Sequence, residues 1–209
     1  MSVTTEGVCF VFDLDDTLYP EQEYVLSGMK AVCDEVERLC GLRVFEEIKA
    51  AYDQDVTIDW LALVCRLTCL PPSFKESLLW VYRLHWPGLQ LKPEIERFLF
   101  KLHSNCREIA VLTDGRYISQ YNKIISLGLE RFVIGISELI GVEKPNTTGY
   151  CWIQNRILAD HYVYVGDNPH KDFKGCKELG WVTIFCSEFA SESNRQAVKQ
   201  LPEPYLPDF

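Results

Sequence analysis

Five short runs of apolar, β-favouring residues recur along this chain, and between successive runs the apolar period switches to that of a helix. The runs are Gly7 to Phe12, Ile109 to Leu112, Phe132 to Ile136, Tyr162 to Val165 and Val182 to Cys186. Each is too continuously apolar to have a wet face, so each reads as a strand buried on both sides, as strands of a parallel sheet are. Pro93 opens a helical stripe of Ile95, Phe98, Leu99 and Leu102. A second helix is expected from Tyr117 to Leu127, stopped by Gly128, a third after Pro145, and a fourth from Pro169 to Leu179 with Gly180 as its stop. Strands alternating with helices through right-handed crossovers predict an α/β fold, a three-layer α/β/α Rossmann-like sandwich. Such a sheet carries its ligand site at the carboxyl ends of the strands.

Residues 20–90 break the alternation, since they carry helical periodicity and no convincing strand. Val25, Met29, Val32, Cys33, Val36 and Leu39 form one stripe ending at Gly41, and Trp60, Leu63, Val64 and Leu67 form another before Pro71-Pro72. Ser73 with Glu76 reads as a capping box for a last helix carrying Leu79 and Tyr82. The expected organisation is therefore an α/β core of residues 1–19 and 91–209 with an inserted all-helical cap of residues 20–90, able to act as a lid. The tail from Leu201 to Phe209 is proline-rich and expected to be irregular.

Composition narrows the function classes. With 47% hydrophobic and 24% charged residues among 209, the chain has enough apolar side chain for a core, which excludes disorder. Its 21 Lys and Arg against 30 Asp and Glu give a net charge of −9, which opposes binding to nucleic acid or to an anionic membrane. No apolar run approaches the ~20 residues that span a bilayer. Nine cysteines, an odd number without compact spacing, and an N-terminus lacking a secretory pattern predict reduced thiols in a cytoplasmic protein. Cys65 and Cys69 share a helix face, but no second ligand pair lies near them in sequence, so zinc is not expected.

The strand ends carry the chemistry. The first strand runs into Asp13-Leu14-Asp15-Asp16-Thr17, where residues two apart in extended backbone face the same way, so Asp13 and Asp15 share a cavity while Leu14 points back into protein. Three carboxylates at one strand end call for a cation, and a hard one such as Mg2+ suits oxygen ligands. The alternative is an acidic turn with Asp16 or Thr17 capping a helix. The second strand ends in Thr113-Asp114-Gly115-Arg116 at a helix start, a place suited to an anion such as phosphate and equally an ordinary N-cap. Lys144 follows the third strand, and Gly166-Asp167 with Asp172 follows the fourth, Asp167 placed to face Asp13 as a metal ligand and Asp172 to orient Lys144 or support the ligands from behind. All four features fall at strand ends, in an order that lets them converge.

In this conjunction the chain resembles the haloacid dehalogenase superfamily over essentially its whole length: Asp13-Leu14-Asp15-Asp16-Thr17, then Thr113, then Lys144, then Gly166-Asp167 with Asp172 match its four motifs. The resemblance implies that the first strand is central with the second and fourth beside it, and that residues 20–90 form the family's small cap. It implies Asp13 as nucleophile on a phosphate monoester, forming an aspartyl-phosphate, and Asp15 as acid to the leaving oxygen and base to the attacking water. Mg2+ would be held by the Asp13 carboxylate, the Asp15 backbone carbonyl and Asp167, with Thr17 and Asp172 supporting this set. Thr113 and the amides of Leu14, Asp114 and Gly115 would position phosphate oxygens, with Lys144 balancing charge and Arg116 in reach of the substrate or simply exposed at a helix start.

A dehalogenase expels halide and has no use for the second aspartate, so Asp15 favours a phosphatase. A phosphomutase or phosphotransferase uses the same motifs, and a non-catalytic binding module is the alternative of another class. The expected partner is a small phosphorylated metabolite, whether sugar phosphate, phosphoglycolate-like acid or nucleotide. Tyr19, Tyr24, Trp60, Trp80, Tyr82 and Trp86 supply aromatic surface in or near the cap, most of it core packing, with Tyr19 closest to the catalytic loop; His170 reads as a solvent-facing loop residue.

Overall fold

The structure, a computed structural model, describes residues 6–198. The tail from Leu201 to Phe209 lies outside them. Five strands form one sheet: β1 (Val8–Phe12), β2 (Glu108–Thr113), β3 (Val133–Ile136), β4 (His161–Gly166) and β5 (Val182–Phe185), in the order β3-β2-β1-β4-β5 with every pairing parallel. The α/β class expected from the sequence is the one observed. β1 is central because its four last residues are buried on both faces, which only an interior strand allows. The chain leaves β1 toward β2 and β3 and returns on the other side to β4 and β5. That reversal opens a crevice at the carboxyl ends beside β1.

By Cα packing the chain divides into two compact units, residues 1–21 with 90–209 and residues 22–89. The second unit is helical: α1 (Glu21–Cys40, whose first residue belongs to the other unit), α2 (Phe45–Gln54), α3 (Trp60–Leu67) and α4 (Phe74–Leu84). Met29, Val32, Val36, Ile48 and Val64, all fully buried, give it a core of its own. Tyr24, Trp60 and Tyr82 pack edge to face within it, while Trp80 and Trp86 are exposed. Asp59 caps α3 by accepting from the Ala62 amide at 3.1 Å. The Ser73 capping box expected for α4 is not formed: Ser73 already has helical dihedrals and makes no side-chain cap bond. Pro71 and Pro72 start the turn earlier, their carbonyls taking the Phe74 and Lys75 amides, which leaves Ser73 inside the helix rather than at its entrance. The sequence pattern had not separated α2 from its surroundings, since only Ile48 of that helix is buried.

The first unit carries α5 (Pro93–His103), α6 (Tyr117–Ser126), α7 (Ser137–Ile140), α8 (Thr147–Gln154), α9 (Pro169–Glu178) and α10 (Glu192–Val198). Gly128 and Gly180, with φ of 69° and 76°, sit just past α6 and α9 as the helix stops read from the sequence. On one face of the sheet Cys9, Val11, Ala110, Leu112 and Tyr164 pack with Tyr150, Phe173 and Trp181. On the other, Phe10, Phe12, Val165 and Ile184 line an apolar cavity of about 540 Å³ beside Phe98 of α5.

Gly175 of α9 lies against the Pro145 carbonyl and the Tyr150 ring so closely that a Cβ has no room. Gly→Ala inside a helix ordinarily stabilises by ~1 kcal/mol. Here the added carbon meets backbone, which cannot rotate away, so Gly175→Ala is expected to lower stability by about 1–3 kcal/mol. Thermal unfolding followed by circular dichroism reads the sign directly; a raised Tm refutes the close-contact argument.

Candidate active site

At the carboxyl ends of β1, β2 and β4 lies a cavity of about 260 Å³ whose walls include Asp13, Asp15, Thr113, Lys144, Asp167 and Asp172. Asp13 continues the β1 ladder, its amide donating to the Val165 carbonyl at 2.9 Å, so the sheet itself fixes the first carboxylate. Leu14 is fully buried, and the turn after it closes through the Leu18 amide on the Leu14 carbonyl at 3.0 Å. Asp16 takes a left-handed φ of 54°, a conformation aspartate tolerates, and its carboxylate accepts from the Glu21 amide at 2.9 Å. The two readings of the acidic run thus both apply, to different residues: Asp13 and Asp15 face the cavity, and Asp16 caps α1.

Lys144 is the hub. Its buried ammonium donates to Asp13 Oδ1 and Asp172 Oδ1, each at 2.7 Å, and to the Tyr164 hydroxyl at 3.1 Å, which in turn donates to the Leu112 carbonyl. Burial works against the charged ammonium, but the two carboxylates outweigh it and hold Lys144 well above the ordinary lysine value. Asp172, fully buried, spends its other oxygen on the Asn168 amide at 2.9 Å. Gly166 is required beside it, because a Cβ there would collide with the Asp172 carboxylate. Burial raises Asp13 well above the usual carboxylate range in spite of Lys144. Asp167 is pushed up to about 7 by burial and by the Asp172 charge, and its Oδ2 accepts from Asn194 of α10 at 3.0 Å.

Ligand atoms of Asp13, Asp167 and Asp172 lie within 4.8 Å of one another. Asp172 is committed to Lys144 and to backbone, which leaves Asp13 and Asp167 as the pair whose charge burial makes costly. All-oxygen donors with excess negative charge fit a hard divalent cation such as Mg2+ and offer nothing to a soft metal.

The Asp15 side chain has a different environment. Both oxygens contact the Lys123 ammonium, at 2.8 and 2.9 Å; Oδ1 also accepts from the Tyr19 hydroxyl, and Oδ2 from Gln120 Nε2 at 3.1 Å. Burial alone would raise its pKa, but Lys123, Tyr19 and Gln120 together leave it below the ordinary value. None of these three donors belongs to a motif read from the sequence, although Tyr19 stood out there as the aromatic nearest the loop. A signal for the other two was present: Gln120, Lys123, Ile124 and Leu127 share one face of the α6 pattern, and polar residues on a buried face need partners.

The remaining expected residues divide. Thr113 is buried at the cavity. Asp114 accepts the Lys144 amide at 3.0 Å on its carboxylate and Gln120 Nε2 at 2.6 Å on its carbonyl, tying the two loops together. The Gly115 amide is taken by Ser137 Oγ at 2.9 Å. Arg116 does not line the cavity; its exposed guanidinium pairs with Glu138 at 2.6 Å, and the same Glu138 accepts from the Tyr117 amide at 2.7 Å. The first amide of α6 is thus met by a carboxylate of this chain. The Thr17 hydroxyl, also buried, borders the apolar cavity on the sheet face rather than the carboxylates. His170 is exposed.

The sequence model of the haloacid dehalogenase-like hydrolase family matches residues 8–180, and the chain belongs to that family. Among its relatives is the glyceraldehyde 3-phosphate phosphatase of Methanocaldococcus jannaschii, 29% identical over 189 residues, 83% of this chain and 82% of the relative. Similar folds include a hydrolase of the same family from Bacillus subtilis solved with magnesium bound, at TM-score 0.58 and 20% identity over 86% of this chain and 88% of that one. The 2-haloacid dehalogenase of Pseudomonas syringae pv. tomato aligns at TM-score 0.61 and 20% identity, covering 96% and 93%.

Proposed function

We propose that this chain is a Mg2+-dependent phosphatase that hydrolyses a small phosphate monoester through an aspartyl-phosphate on Asp13. The observation that carries the reading is the second carboxylate: Asp15 stands in the same cavity as Asp13, where a hydrolase that expels halide has no proton to deliver. The name of the Methanocaldococcus jannaschii relative points the same way and makes glyceraldehyde 3-phosphate the first substrate to assay.

In the mechanism the Asp13 carboxylate attacks phosphorus in line with the departing alkoxide, which takes a proton from Asp15. Water then attacks the phosphoryl group, gives its proton to Asp15, and releases Asp13 and inorganic phosphate. Lys144 holds Asp13 at 2.7 Å and places positive charge beside the equatorial oxygens, with Thr113 at the cavity wall as a hydroxyl donor. The Asp13 and Asp167 carboxylates and the Asp15 carbonyl are the groups that would hold Mg2+, which when bound supplies the charge that lets an anionic substrate enter an acidic site. Asp172, through Lys144, and Asn194, through its bond to Asp167, support these ligands. The cap of residues 20–90 is proposed to select the substrate, and the core of 1–19 with 91–209 to perform the chemistry. No helix among the described residues is long and apolar enough to cross a membrane. A cytoplasmic setting is proposed on the odd, unpatterned cysteine usage of the sequence.

The test is phosphate release from a panel of phosphate esters, including glyceraldehyde 3-phosphate, sugar phosphates, phosphoglycolate and nucleoside monophosphates, with Mg2+ and with EDTA. Turnover is expected with Mg2+ and a fall of at least ~100-fold after chelation. Undiminished turnover in EDTA refutes the metal-dependent reading. Transfer of phosphate to a second substrate hydroxyl without release would assign a phosphotransferase instead.

A further inference from the structure

We propose that Lys123 is a positioning residue for Asp15, fixing its carboxylate to accept the proton of the water that hydrolyses the aspartyl-phosphate. The proposal rests on the phosphatase reading above and adds to it a residue that no motif of the sequence singled out.

Lys123 lies on α6, and its side chain is only 3% exposed. A lysine buried to that degree is held by its partner, and the partner here is Asp15, 108 positions away in sequence. The ammonium meets both carboxylate oxygens at nearly equal distances of 2.8 and 2.9 Å, which fixes the plane of the carboxylate and its distance from α6. Tyr19 and Gln120 take one oxygen each, so each oxygen faces two donors. A carboxylate has about four lone-pair directions, and this set occupies them.

To receive a proton, one contact must yield. The bidentate ammonium is the donor that can do so without leaving, by sliding onto one oxygen and freeing a lone pair on the other. In the hydrolytic step the water oxygen bonds to phosphorus, its proton passes to that freed lone pair, and the bond between phosphorus and the Asp13 oxygen breaks, its electron pair returning to the Asp13 carboxylate. The same proton then serves the next departing alkoxide. Gln120 also donates to the Asp114 carbonyl, so α6 ties the base to the loop that follows Thr113.

A charge pair that merely fills the interior makes a different prediction from one that positions a base. The distinguishing experiment is rapid-quench kinetics with p-nitrophenyl phosphate and Mg2+, because p-nitrophenolate departs without a proton from Asp15. In Lys123→Met a burst of about one p-nitrophenol per folded enzyme is expected at close to the wild-type rate, followed by steady-state turnover reduced roughly ten- to hundred-fold. Lys123→Gln, which keeps a donor without the charge, is to show the same split if Lys123→Met does not fold. Lys123→Arg is expected to recover at least part of the steady-state rate, since it restores a bidentate cation.

Equal losses of burst and steady-state rate in the folded variants would overturn the proposal, as would unchanged steady-state turnover or an arginine variant no better than methionine. A wild-type protein that releases no phosphate would remove the phosphatase reading and this proposal with it. An active wild type with no split removes the proposal alone.

Discussion

Asp13→Asn is expected to lower kcat by at least about 10^4-fold, equivalent to ~5.4 kcal/mol of transition-state stabilisation, while the protein stays folded. The amide keeps the shape of the carboxylate and can still meet the Lys144 ammonium through its carbonyl oxygen, but it has no charged oxygen with which to attack phosphorus. Stability should move the other way. Burial raises Asp13 well above its usual range, so the folded protein holds an ionised carboxylate there at a cost. In EDTA, Asp13→Asn is therefore expected to melt no lower than wild type, and binding of Mg2+ should raise the Tm of wild type more than that of the variant. Phosphate release and thermal unfolding on the same preparations measure both. A variant that turns over at a tenth of the wild-type rate removes Asp13 as the nucleophile.

The second large effect concerns Lys144. It serves Asp13 and Asp172 at once, with 4% of its side chain exposed and none of the Asp172 side chain. Lys144→Met strands two buried carboxylates, and breaking a buried pair from one side typically costs 3–5 kcal/mol. Both a loss of about this size and a fall in turnover of two to three orders of magnitude are expected, the latter from losing charge next to the phosphoryl oxygens. The double variant Lys144→Met with Asp172→Asn separates them. Removing the orphaned charge should return part of the stability, because the residues are in direct contact and their effects do not add, yet activity should stay lost. Denaturant unfolding with phosphate release reads the cycle; recovery of activity along with stability would make Lys144 a structural residue only.

Much of this site was legible because its parts are local. Asp13 and Asp15 face one cavity, the glycines after α6 and α9 stop their helices, and the motifs stand at strand ends, all consequences of backbone periods of two and 3.6. What the chain did not disclose depends on contacts distant in sequence. Lys123 looks like any surface lysine until α6 brings it against Asp15 in the loop after β1, and Asn194 meets Asp167 only once α10 follows β5. The four-residue α7 was likewise invisible, though Ser137 within it takes the Gly115 amide, a group the resemblance offers to a phosphate, and Glu138 takes the Tyr117 amide and Arg116, which the sequence left open between substrate contact and an exposed helix start. The capping box at Ser73 failed for a local reason of the opposite kind, since two prolines had already begun the turn.

The order of strands also governs how the chain reaches this state. β1 is the innermost strand and precedes the whole helical unit in the chain, yet Cys9 pairs with Glu108 on one side and Val8 with His161 on the other. Its unpaired backbone edges and apolar side chains therefore wait through the synthesis of the entire helical unit before the first neighbour exists, and longer for the second. Residues 22–89, with a core built from near neighbours, can collapse in the meantime, shortening the effective loop that β1 and β2 must close. Non-local parallel pairing of this kind is slow, so a destabilised cap is expected to act on yield and aggregation during synthesis well before it acts on the finished enzyme.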